Sequence, residues 1–330
     1  MVRDPRVLAA LGAVVLWSTN AYAAGVALAH MQVEWLLLVQ YGSAAVVFLA
    51  VRLVAHRNSR RRTAGPRGVA GAGPWVLVVG VVGLTGTIFL QYTAFALAPI
   101  VAANVLAYGW PLLAALAVLI VRRDRSALRG AGLAVLGFAG VALIFISPGA
   151  ADTGDNAAAL GTSPMWGYVA ALGSAVCMTA YTLGSGRVSV PVADLLLPAT
   201  IVGVIGAAML VAISGAPSPP LVGMAAAAYI GLGPMAAGYG LWTVAMSHGG
   251  ARTLSPLGYA TPLLSTTLLI VTGASATPAT LLGIGLILAS STGVLLTQHR
   301  RSPTEVDRQP QPREWSAATQ DGPDTDPSPR

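Results

Sequence analysis

Two apolar stretches of this 330-residue chain carry the same set of polar, aromatic and proline residues at helical spacing. Each set has a polar residue, a tyrosine and a proline at positions i, i+4 and i+7, and the sets are Asn104, Tyr108, Pro111 and Ser255, Tyr259, Pro262. Residues at this spacing share one face of a helix. A phenol ring beside an amide or hydroxyl can stack on a small amphiphilic solute and hydrogen-bond to it. We therefore expect both faces to line a substrate-binding cavity.

The two prolines support the same expectation. Each lacks a backbone N–H and so disturbs the carbonyl four residues earlier, at Ala107 and at Gly258. In an apolar medium such a carbonyl is tolerated where protein or a water-filled cavity satisfies it. Pro111 and Pro262 are accordingly predicted to be structural kinks beside the cavity. The alternative is that they only kink packed helices.

A second pair of stripes is mainly aromatic. The stripes are Thr85, Phe89, Tyr92 and, 150 residues later, Met235, Tyr239, Trp242. We predict that Tyr92, Tyr239 and Trp242 bind the solute by stacking and by directed hydrogen bonds. The alternative is an aromatic stripe that packs helix against helix or lies in an interfacial belt.

Three further residues interrupt apolar runs near the N-terminus, namely Trp17, Asn20 and Gln40. An unsatisfied amide is costly among lipid chains, so Asn20 and Gln40 should face the inside of a bundle. There Asn20 either contacts the solute or bridges two helices. With these three residues the predicted substrate-binding set is complete.

No pattern in the chain predicts catalysis or a bound cofactor. We find no paired carboxylates, metal-ligand cluster or nucleophile–base pair at helical spacing, and the single cysteine, Cys177, has apolar neighbours. The GxxxxGK[ST] loop of nucleotide-driven pumps is also absent. We therefore expect no cofactor and no metal, and an enzyme is the class with the least support.

Composition places the chain in a membrane. It is 55% hydrophobic and 9% charged, with a mean hydropathy of +0.70, which leaves too few polar residues to cover a water-soluble surface. A helix needs about 20 apolar residues to cross the hydrocarbon core. Ten runs meet that requirement, at residues 7–28, 34–54, 75–97, 101–121, 128–147, 165–184, 194–214, 221–247, 251–273 and 279–297.

The basic residues predict the orientation. All 19 are arginine, and they fall before the first run, in alternate breaks between the runs, at the adjoining helix ends and in the C-terminal tail. Because cytoplasmic loops are enriched in basic residues, both termini are predicted to be cytoplasmic and the number of spans even. The net charge of +7 is assigned to that membrane surface, and no nucleic-acid partner is expected.

Ten spans and a twofold repeat give five spans in each half. Because five is odd, the halves must lie upside down relative to each other, as in secondary transporters, whose substrate sites lie near the midplane. We assign residues 1–147 and 165–297 to the two halves. Residues 148–164 are predicted to form a linker on the outer side, and residues 298–330 a disordered cytoplasmic tail.

Four motifs carry a resemblance to a known family. They are LWSTNAY in the first run, YTAFALAPIVAANVLAYGWPLLAALAVLIV in the third and fourth, GAGLAVLGFAGVAL in the fifth and YATPLLSTTLLIVTG in the ninth. Together they resemble the EamA-like branch of the drug/metabolite transporter superfamily. That resemblance implies an all-α integral membrane protein with ten transmembrane helices in two inverted five-helix repeats. The family often carries Gly-Glu after the fourth and ninth spans and an arginine in the second, where this chain has Arg123-Asp124, Gly273-Ala274 and Gln40.

We expect a secondary transporter of small organic metabolites, amino-acid-like or otherwise amphiphilic, that works by alternating access in the lipid bilayer. The resemblance favours efflux, and it allows a homodimer packed through glycine-rich helices. The frequent arginine and alanine residues and the absence of lysine favour a bacterial inner membrane. Alternatives within the same fold are a drug-efflux protein and a lipid-linked flippase-like protein. The alternative from another class is a non-transporting membrane sensor or assembly partner.

Overall fold

A computed structural model describes the helical body of the chain. The described residues are 5–60, 74–110, 112–114, 116–117, 132–133, 135–137, 139–140, 143, 163–185, 191–246, 257–258, 260–273 and 277–299. All regular structure within these residues is helical. This agrees with the predicted all-α membrane fold.

Several spans consist of more than one helical element. In the first half the elements are α1 (Pro5–Ser18), α2 (Asn20–Leu28), α3 (Val33–Arg60), α4 (Pro74–Gly80), the π-helical segment π1 (Val81–Gly86), α5 (Thr87–Leu97) and α6 (Ile100–Ala107). In the second half they are α7 (Pro164–Ser185), α8 (Val192–Ser214), α9 (Leu221–Ile230), the π-helical segment π2 (Gly231–Gly238), α10 (Tyr239–Met246), α11 (Ala260–Val271) and α12 (Pro278–His299).

Six helical stretches are long and apolar enough to cross a membrane. They are Pro5–Leu28, Val33–Ala55, Pro74–Leu97, Pro164–Gly184, Val192–Ser214 and Leu221–Met246. Shorter apolar helices at Ile100–Ala114, Ala260–Val271 and Leu281–Ser290 lie where the fourth, ninth and tenth spans were predicted. Most of the fifth run lies outside the described residues, so the count of ten stays a prediction.

The second spans of the two halves, α3 and α8, pack against each other and run in opposite directions. At one end of this contact, Arg52 Nε lies 3.3 Å from Asp194 Oδ1. At the other end, the Trp35 indole N–H donates to the Ala216 carbonyl, 3.0 Å away. The start of α3 therefore lies beside the end of α8, as two inverted halves require.

The third span of each half packs against the first span of the other half. Elements π1 and α5 contact α7, and elements π2 and α10 contact α1. Glycine permits the closest of these contacts. A Cβ on Gly83 would lie 2.6 Å from the Tyr181 Cβ, and a Cβ on Gly238 would lie 2.7 Å from the Trp17 Nε1. The two halves thus interlock through their first and third spans.

The spans that meet at the centre are interrupted. The first span breaks at Thr19, between α1 and α2. The third and eighth spans contain π1 and π2, and such π-helical turns often occur at functional sites. In the fourth span, α6 ends at Ala107 and a turn follows at Tyr108 and Gly109. The proline at position 111 cannot donate to the Ala107 carbonyl, which gives a physical reason for this break.

Candidate solute-binding cavity

The interrupted spans surround a cavity near the centre of the protein. Its empty volume is about 410 Å³, including the space at its mouth. Residues from both halves line it, namely Trp17, Asn20, Thr87, Ile88, Gln91, Tyr92, Ala107, Tyr108, Trp110, Ser174, Met178, Pro234, Met235 and Tyr239. The wall is thus mainly aromatic and apolar, with a few polar groups, as in many small-molecule sites.

Trp17 supports one wall at the end of α1. Its indole N–H donates to the Pro234 carbonyl in π2, 2.9 Å away. Its ring centroid lies 5.3 Å from that of Tyr239 in an edge-to-face arrangement and 5.2 Å from that of Trp242. Such aromatic contacts fix ring orientation, so this wall is held rigidly by residues of both halves.

Asn20, Tyr92 and Tyr108 form the polar side of the cavity. The Tyr92 hydroxyl donates to Asn20 Oδ1 at 2.6 Å, and the Tyr108 hydroxyl donates to the Trp17 carbonyl at 3.0 Å. These bonds join the first span to the third and fourth at the break between α1 and α2. In the structure Asn20 therefore bridges two helices and lines the cavity at the same time.

The other hydroxyl groups in the wall also donate within the protein. Thr87 donates to the Gly83 carbonyl, and Ser174 donates to the Thr87 carbonyl at 2.9 Å. The Tyr239 hydroxyl points to the Met178 sulfur, 3.8 Å away. The oxygen atoms of these hydroxyls retain lone pairs that can accept further hydrogen bonds.

The described wall carries no side chain with a formal charge. The faces of its aromatic rings are electron-rich. Among the described residues, no three His, Cys, Asp or Glu side chains lie together in a way that could hold a metal ion. The chemistry that this wall can supply is stacking and hydrogen bonding.

Half of the predicted substrate-binding residues line the cavity. These residues are Trp17, Asn20, Tyr92, Tyr108 and Tyr239. Two others, Ser255 and Tyr259, lie outside the described residues, as does the predicted kink at Pro111.

Three predicted binding residues are buried but are not part of the cavity wall. The Asn104 amide donates to the Ser265 hydroxyl at 3.1 Å and so joins α6 to α11. Trp242 packs behind Trp17. Gln40 is fully buried, and its amide has no hydrogen-bond partner in the structure. All three side chains therefore face the protein interior, but none of them forms part of the cavity wall.

Pro262 occupies the first turn of α11. A backbone N–H at that position has no partner within the helix, so proline costs little there. Since Tyr259 and residues 251–256 lie outside the described residues, the predicted kink at Pro262 stays a prediction.

The sequence pattern missed several lining residues, namely Thr87, Trp110, Ser174, Met178 and Pro234. Thr87 stands one helical turn before Gln91, which adjoins the aromatic stripe, and that spacing was an available signal. Ser174 and Met178 also stand one turn apart, on α7. Such a pair is common in apolar helices, so nothing in the sequence singles it out.

Comparison with known proteins gives a consistent result. Residues 5–146 and 165–296 each match the EamA-like transporter family. The chain is 32% identical over 208 residues to the aromatic amino acid exporter YddG of Ancylobacter novellus, covering 62% of this chain and 69% of that protein. A solved crystal structure superposes with a TM-score of 0.63 at 28% identity, covering 90% of this chain and all of the other.

Proposed function

The chain belongs to the EamA-like transporter family and is a multi-pass membrane protein that transports small organic solutes, and we propose that it exports aromatic amino acids or closely similar amphiphilic solutes. The observation that carries this proposal is the central cavity, whose aromatic rings stand beside two side-chain amides. The similarity of the chain to an aromatic amino acid exporter supports the same solute class and the outward direction of transport.

The wall suits a solute with a flat apolar part and a polar end. Trp17, Tyr239 and Trp110 offer ring surfaces, while Asn20 and Gln91 offer amide groups. Aromatic pairs contribute about 0.5–1.5 kcal/mol beyond the area that they bury. A few directed hydrogen bonds then fix the orientation of the bound solute.

Alternating access would follow from movement of the two halves about the α3–α8 contact. That contact joins the halves along their antiparallel second spans, and the cavity lies where their first and third spans interlock. The distribution of arginine supports cytoplasmic termini in a bacterial inner membrane. The division into halves at 1–147 and 165–297, the tail at 298–330 and a homodimer belong to the same proposal.

Transport by the purified protein in liposomes tests the proposal. Efflux of tritiated tryptophan would be compared for the parent, Tyr108→Ala and Tyr22→Ala, at equal amounts of folded protein. Tyr22 lies two residues after Asn20, but its side chain is 43% exposed on the outer surface. We expect efflux to fall roughly tenfold in Tyr108→Ala, which loses a ring and a hydrogen bond, and to persist in Tyr22→Ala. Absence of tryptophan efflux from the parent would contradict the proposal.

A further inference from the structure

The hydroxyl groups around the cavity leave an uneven set of hydrogen-bonding positions. Tyr92, Tyr108, Ser174 and Thr87 each have one O–H, and each already donates to a carbonyl or amide oxygen of the protein. The free positions of Tyr92, Ser174 and Thr87 are therefore lone pairs, which only accept, whereas the Tyr108 hydroxyl already hydrogen-bonds to Asn20 and Gln91 as well. Turning any of these O–H groups toward a solute would leave a buried acceptor unpaired, which is costly.

Few N–H donors remain to balance these acceptors. The bond from Tyr92 occupies Asn20 Oδ1, and the Asn20 side chain also hydrogen-bonds to the Tyr108 hydroxyl. The Gln91 side chain hydrogen-bonds to the same Tyr108 hydroxyl, so Trp110 holds the remaining N–H group in the described wall for which the structure shows no acceptor. The Trp17 indole is committed to the Pro234 carbonyl. The described wall thus offers more acceptors than donors.

The aromatic rings favour the same sign of charge. Trp17, Tyr92, Tyr108, Trp110 and Tyr239 all line the cavity. Ring faces attract a cation and repel an anion. No arginine or lysine lines the described wall to compensate a carboxylate, and an unpaired buried carboxylate is costly. The described wall is therefore electronegative although none of its residues is acidic.

From this arrangement we propose that the cavity recognises its solute through an ammonium group and not through a carboxylate. Aromatic primary amines should then bind in the cavity with affinities similar to those of aromatic amino acids. This inference rests on the proposed function, since it concerns the same cavity, and it makes that function's substrate class more specific. The ammonium would donate to the Tyr92 and Ser174 oxygens while the aromatic part stacks on the rings.

Binding of tritiated tryptophan and tritiated tryptamine to the full-length protein in detergent would test the inference. Unlabelled tryptamine and indole-3-propionate would compete, because they carry the same ring with only the amine or only the carboxylate. We expect tryptamine to displace tryptophan at similar concentrations, and indole-3-propionate to need about 100-fold more, as the loss of a charged hydrogen-bond set predicts. Detergent solution removes the complication that tryptamine crosses bilayers unaided.

Two variants link the selectivity to named oxygens. Tyr92→Phe keeps the ring and removes one acceptor, and Ser174→Ala removes another without touching a ring. Each should weaken tryptamine binding by about 3- to 10-fold and leave the concentration of indole-3-propionate for half-displacement unchanged. Tyr22→Phe, on the exposed surface, is the matched control. The melting temperature of each variant shows whether it folds.

The outcomes separate the two proposals. Binding of tryptophan with equal or better displacement by indole-3-propionate would overturn the ammonium inference and leave the proposed function intact. Saturable binding of tryptamine without any binding of tryptophan would support the inference and overturn the assignment to amino acids. If neither labelled compound binds saturably, both proposals are wrong.

Discussion

The third spans of the two halves have the same backbone form but different chemistry. Each is an α-helix that passes through a π-helical segment and continues as an α-helix, as α4–π1–α5 and as α9–π2–α10. At positions 150 residues apart, Gln91 corresponds to Leu241 and Tyr92 to Trp242. Gln91 and Tyr92 line the cavity, whereas Leu241 and Trp242 do not. The backbone form is thus the same in both third spans, whereas at these two positions only the first half places polar side chains in the cavity wall.

This difference shows how an inverted repeat can build an asymmetric site. The π-helical segments and their glycines let each third span approach the first span of the other half. Tyr92 in addition bonds to Asn20 in the first span of its own half, whereas Trp242 contacts Trp17 in the first span of the other half. The third span of the first half therefore supplies hydrogen bonds, and Trp242 in the third span of the second half supplies aromatic packing behind the wall.

The largest effect is expected when Gly231 of π2 is replaced by valine, the residue at the matching position of π1. Val81 starts π1, and Gly231 starts π2 at the matching position. A Cβ on Gly231 would lie 2.4 Å from the Gln40 carbonyl oxygen, and backbone cannot move aside easily. Gly231→Val should lower the free energy of unfolding by about 1–3 kcal/mol or more, measured as a lower melting temperature. Gly240→Ala has open space and serves as control. A Gly231→Val protein that melts with the parent would disprove the close contact.

An intermediate effect is expected from truncating Tyr92 and Trp242 in parallel. Tyr92→Phe leaves Asn20 Oδ1 without its donor, whereas the Trp242 indole N–H has no partner to lose. The tryptophan concentration for half-maximal transport should rise about tenfold in Tyr92→Phe. Trp242→Phe should leave that concentration nearly unchanged, although it can lower stability by removing buried ring area. Equal changes in half-saturation would contradict the asymmetry between the halves.

The smallest effect is expected at Gln91 and Leu241. Gln91→Leu gives the first half the residue of the second and removes an amide from the wall, so half-saturation should rise about threefold to fivefold. Leu241 packs close to Gly12 of α1, outside the cavity. Leu241→Gln should therefore lower the melting temperature and leave half-saturation as it was. If Leu241→Gln changed half-saturation and Gln91→Leu did not, the solute would bind beside Leu241 and not beside Gln91, which would contradict the asymmetry.

Much of the fold follows from the sequence because apolar run length has a direct physical meaning in a membrane. The predicted runs at 34–54, 165–184 and 194–214 coincide closely with α3, α7 and α8. The interruptions within spans were harder to anticipate. The break at Thr19 involves no proline. Element π1 contains no proline either, and in the sequence only the closely spaced Gly80, Gly83 and Gly86 mark it.

The residues of the candidate cavity could be predicted only in part, because helical periodicity holds only while the helix continues. Asn104 and Tyr108 stand at i and i+4, which predicts one shared face. The structure ends α6 at Ala107, so Tyr108 reaches the Trp17 carbonyl while Asn104 bonds to Ser265. Tyr92 and Tyr239, on uninterrupted stretches of α5 and α10, line the cavity that their pattern predicted.

The most direct test of the account is whether a transported solute occupies this cavity. Gln91→Cys would be made in a Cys177→Ser background, because Cys177 is the only native thiol, and labelled with a charged methanethiosulfonate reagent in liposomes. The account predicts that saturating tryptophan slows the labelling of Cys at position 91 several-fold. If the variant still transports tryptophan while the labelling rate stays the same with and without it, the solute follows another path, and the central claim is wrong.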